Sequence, residues 1–95
     1  MLVLPKELSH AQATACLRML VQGLRSEPGT SVVLEASALS RFDSSALAVL
    51  LEFRRECLAV GKRLSIRELP PRLGDLASLY GIGDLLSSDS ATPVK

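Results

Sequence analysis

Aromatic side chains are scarce in this sequence: two Phe, one Tyr and no Trp, 3% of 95 residues. That scarcity excludes the stacked aromatic platforms on which single-stranded nucleic acids lie. It also requires an aliphatic core, drawn from a composition that is 47% hydrophobic. Charge of one sign is equally lacking. Eleven Lys and Arg stand against ten Asp and Glu, a net charge of +1, and the cations are scattered along the chain. Neither a nucleic-acid footprint nor a patch for an anionic bilayer follows from such a distribution.

Long apolar runs are missing too. Nothing approaches the roughly 18 consecutive apolar residues that a membrane-spanning helix needs. The opening MLVLPKELSH has no basic leader ahead of a long apolar stretch, which sets the expectation of a cytoplasmic protein without direct membrane insertion. Histidine occurs once, as His10, and one imidazole at a helix start does not make a metal centre. Cys16 and Cys57 lack zinc-ligand spacing and fall in apolar helical contexts, where two buried thiols are expected rather than a disulfide. No glycine-rich phosphate loop of either common pattern occurs. A nucleophilic reading of Ser44, His10 and Asp43 finds no base-poised serine and no oxyanion hole in the pattern. The expectation is a protein that is not an enzyme and uses no cofactor, no metal and no nucleic acid.

What the chain does contain is alternation. MLVLP is a short apolar run closed by Pro5, suited to an edge strand. Ser9 and Gln12 form a capping box, and Ala13, Cys16, Leu17, Leu20 and Leu24 then fall on one helical stripe that Pro28 and Gly29 end. Val32, Val33 and Leu34 read as a strand covered on both faces. A second helix is expected over about Ser44 to Val60, stopped by Gly61. KRLSIREL alternates, as a half-exposed strand does. Pro70 and Pro71 open a third helix with Leu73, Leu76, Ala77 and Tyr80 on its buried stripe, stopped by Gly81. The order β-α-β-α-β-α with short connections predicts a small α/β domain over residues 1–86, with helices packed on a parallel or mixed sheet. SSDSATPVK, from Ser87 to Lys95, is small and polar and reads as a disordered tail.

One join carries chemistry. FDSSAL, Phe42 to Leu47, places a carboxylate and two hydroxyls between an apolar strand and an apolar helix. On a helical wheel Ala46, Val49, Leu50, Phe53, Cys57 and Val60 form the core stripe. Leu47, Leu51 and Leu58 form a second apolar flank, with Ser44, Ala48 and Arg55 beside it. Ser45 points the other way, toward Glu52 and Glu56. Two readings stand together: Asp43 and the serines start a helix and nothing more, or the second flank meets a partner.

The order of elements and FDSSAL together resemble the STAS domain, the fold of anti-sigma factor antagonists. Its signature is a D-[ST]-[SA]-G-L run between a strand and this same helix. The resemblance spans Leu8 to Leu86, with the motif placed after VVLEASAL and before GKRLSIREL. One branch is the small cytoplasmic STAS subunit of the Mla-type phospholipid ABC transporter, which maintains outer-membrane lipid asymmetry. Its third helix often reads like LASLYGIGDLL, Leu76 to Leu86. That branch implies a non-catalytic subunit that binds the nucleotide-binding ATPase subunit and reaches the inner membrane only through the complex. The implied contact is Asp43, Ser44, Leu47, Ala48, Leu51 and Arg55, with Ser44 the important hydroxyl. The antagonist branch implies instead an anti-sigma factor serine kinase as partner and phosphorylation at Ser45. The chain departs from the signature at Ala46, where glycine is usual. Glycine permits close backbone approach, and alanine is the better helix former. The N-terminal strand region is also short, which implies fewer strands than many STAS domains have.

Overall fold

The structure, a computed structural model, describes residues 1–86. In chain order they form β1 (Leu2–Val3), β2 (Glu7–Leu8), α1 (His10–Ser26), β3 (Ser31–Glu35), β4 (Arg41–Phe42), α2 (Ser45–Ala59), β5 (Arg63–Arg67), α3 (Pro71–Leu79) and a closing 3-10 turn at Gly83–Leu86. The tail expected from Ser87 onward lies outside the described residues. The small α/β fold is as expected, and the sheet is parallel throughout: β1, β3 and β5 lie in that order. Two strands and the closing turn are additional. β2 and β4 form their own two-stranded parallel ladder, and strands of two residues are too short to show a period in the sequence.

Register explains which face is buried. Leu2 stands opposite Leu34, and Leu34 opposite Ile66. This row faces the helices, where Leu34 and Ile66 are fully buried. The next row, Val3, Glu35 and Arg67, lies on the other face. There Val3 and Arg67 are exposed, and Arg67 Nε meets Glu35 Oε1 at 3.8 Å. Among the described residues the sheet is therefore covered on one side. That corrects the expectation for β3: Val32 and Leu34 are buried, whereas Val33 between them is only half-buried. Three consecutive β-branched or aliphatic residues do not specify two covered faces, because alternation still points the middle one outward.

The core is aliphatic as the composition demands, with Leu4, Leu8, Leu20, Leu34, Leu50, Ile66, Leu73 and Leu86 fully buried around a single aromatic side chain, Phe53. Each such side chain contributes about 1.5–3 kcal/mol on leaving water, most of it offset by conformational entropy. α1 and α2 pack against each other, with α1 on β1 and α2 on β5. α1 comes close to β1: a Cβ on Gly23 would stand 2.6 Å from Leu2 Cδ2, the end of a flexible side chain that would have to shift. Cys16 and Cys57 are buried free thiols, as expected, and burial pushes both above their ordinary pKa.

Two residues expected on buried stripes are exposed, Val60 at 58% and Tyr80 at 59%. The reason is the same in both cases. Each is the C-cap of its helix, directly before a glycine at φ +76°, so the chain has left the helix where the periodic stripe would continue.

Candidate functional site

Each helix follows a strand of a parallel ladder: α1 follows β2, α2 follows β4 and α3 follows β5. Locally, α1 opens with the expected capping box. Gln12 Oε1 accepts the Ser9 N–H at 2.9 Å and the Ser9 hydroxyl at 2.6 Å. α3 opens on Pro71, whose missing N–H costs nothing in a first turn. Its next residue, Arg72, lies over the Phe42 ring, 5.8 Å from the centroid. That contact sets the start of α3 beside the residue that precedes Asp43.

α2 opens differently. Ser44 occupies the cap position with helical backbone angles and makes no side-chain cap bond. The capping is done by Asp43. Its Oδ1 accepts the Ser45 N–H at 2.8 Å, its Oδ2 accepts the His10 N–H at 3.2 Å, and its carbonyl accepts the Ala46 N–H at 3.0 Å. The Ser45 N–H bond, with help from the His10 N–H, the Ser45 hydroxyl and the nearby His10 ring, holds the Asp43 carboxyl below its ordinary pKa. Carboxylates that accept backbone N–H bonds are held ionised in this way.

The expected contact residues separate into three groups. Ser44, Ala48 and Arg55 are exposed, and Leu51 is half-buried against the core. At i, i+4, i+7 and i+11 they make one line along α2. Leu58, at 50% exposure, continues that line. Leu47 is a correction: at 3% exposure it belongs to the core and supports the line from beneath. α2 as a whole packs against the closing turn as well as α1. Asp43 is exposed but spends its carboxylate on backbone N–H groups. Arg55 is held toward Glu52 at 3.2 Å, a surface pair of small energetic weight. Ser45, expected to stand among Glu52 and Glu56, is half-buried with its N–H and hydroxyl on Asp43. Ala46 is fully buried, so its methyl fills the core and leaves the exposed line untouched.

A family model described as "Mlab, STAS domain" matches residues 1–87. The chain is a STAS-domain protein. Domains of this family are generally non-catalytic, and the role open to the chain is the general STAS one, as a transporter subunit or an anti-sigma factor antagonist. No curated protein matches it. Among the described residues no helix is long and apolar enough to cross a membrane, and no three His, Cys, Asp or Glu side chains converge as a metal site.

Sequence reasoning missed the apolar end of α3. Leu79 is 79% exposed and Leu85, in the closing turn, is also open. The available signal was that α3 is only nine residues long, too short to bury more than one narrow stripe.

Proposed function

We propose that this STAS domain is the non-catalytic cytoplasmic subunit of a phospholipid-transporting ABC transporter that maintains outer-membrane lipid asymmetry. It docks on the nucleotide-binding ATPase subunit through the start of α2 and is held at the inner membrane only by that complex. The observation that carries the reading is the exposed line Ser44, Ala48, Leu51 and Arg55, which begins at the family motif and offers a hydroxyl, a small residue, an aliphatic surface and a guanidinium in sequence. Apolar area in the middle of such a contact is desolvated on docking, and the polar ends orient it. The resemblance of LASLYGIGDLL to the transporter branch supports the same assignment.

The antagonist reading places a phosphate on Ser45. That hydroxyl is half-buried against the Asp43 carboxylate, so a dianion there would meet a like charge. Ser44 is the open hydroxyl. The test is affinity purification of the tagged chain from its native cells, with mass spectrometry of partners and phosphosites. Recovery of an ABC ATPase with unmodified serines is the expected result. Recovery of a serine kinase with phosphate on Ser45 would overturn the transporter reading.

A further inference from the structure

A stable protein contact covers about 800 Å² on each partner, more than four side chains on one helix provide. The two shortest strands indicate where the surface continues. β2 and β4 pair Glu7 with Arg41 and Leu8 with Phe42. Each runs almost directly into a helix, so this ladder brings the start of α1 level with the start of α2. Asp43 then divides its carboxylate between them, one oxygen on Ser45 N–H and the other on His10 N–H. The second bond spans 33 residues of sequence. A cap for α2 needs only the first bond, and α1 already has its own box at Ser9 and Gln12.

We infer that Asp43 is a positioning residue: it latches the first turn of α1 to the first turn of α2, so that a partner meets two helix starts in a fixed relation. This rests on the docking reading above. The carboxylate faces the positive ends of two helix dipoles at once, and both of its bonds are charge-assisted. It touches the protein's own backbone, while Ser44 beside it stays free for the partner. His10 and Ala11, exposed at the start of α1, are thereby added to the same surface.

The test uses the full chain and the variant Asp43→Asn. An amide keeps the shape but has one acceptor oxygen, so it serves only one of the two N–H groups. In the wild-type chain, NMR should show the His10 and Ser45 amide protons shifting together in acid with one midpoint, that of Asp43. Both acid shifts should vanish in Asp43→Asn, and that variant should bind the co-purified ATPase about tenfold more weakly. A His10 amide proton that does not follow Asp43 would overturn the latch, as would wild-type affinity in the variant. If the wild-type chain binds no ATPase, the docking reading falls while the amide titration still decides the latch.

Discussion

α1 and α2 lie side by side and start at one carboxylate, yet they are buried to different degrees. α1 buries three side chains, Cys16, Leu20 and Leu24, in 17 residues; α2 buries six, from Ala46 to Cys57, in 15. α1 has open solvent along most of its outer side, so an exposed residue on it means little. α2 is packed against α1, β5 and the closing turn, and what it leaves open is a narrow line. Exposure carries information only where burial is the rule. That difference is why Ser44, Ala48, Leu51 and Arg55 merit a functional reading and Ala15, Met19 and Gln22 do not.

Core truncation should separate the two helices most sharply. Phe53→Ala on α2 removes the one fully buried aromatic side chain and should cost about 3–5 kcal/mol in urea unfolding. That is a large share of the stability of a domain this small. Met19→Ala on the open side of α1 should change stability by no more than about 0.5 kcal/mol. Comparable losses in the two variants would break the comparison. A smaller effect is expected at the end of α2. Gly61 has φ +76°, and nothing lies within 4 Å of where a Cβ would stand. Gly61→Ala therefore isolates backbone strain, about 1 kcal/mol by the same unfolding measurement. A loss several times larger would mean that the turn is packed rather than merely left-handed.

The smallest expected effect is at the shared start. The folded Asp43 carboxyl lies below its ordinary value of 3.8, chiefly through the Ser45 N–H bond. Its contribution is therefore present above that ordinary value and is lost as pH falls through the lowered folded one. Melting temperatures of wild type and Asp43→Ala should differ at neutral pH and converge in acid. A difference that persists below the folded pKa would assign the role of Asp43 to something other than its charge.

Much of this is legible in the chain itself. Stripes such as Cys16, Leu20 and Leu24 repeat over several turns, and repetition is what makes a buried face visible in sequence. Ends repeat nothing: Val60 and Tyr80 continue their stripes in number but stand at caps, where the chain has turned away. Short strands fail for the same reason, so β2 and β4 leave no signal, and neither does the alignment of the helix starts. Leu47 shows the remaining gap. A helical wheel finds a second apolar flank but cannot say which of its residues the fold buries, and Leu47 is buried. The contact of Asp43 with His10 likewise depends on tertiary register.

The most direct measurement is calorimetric binding of the ATPase subunit to the wild-type chain and to Ser44→Arg, with the melting temperature of each. Ser44 is exposed and makes no cap bond, so the variant should keep its fold and melting temperature while a bulky charge blocks the contact. Binding that disappears from an intact Ser44→Arg domain would support docking through the start of α2. Unchanged affinity in that variant would contradict it.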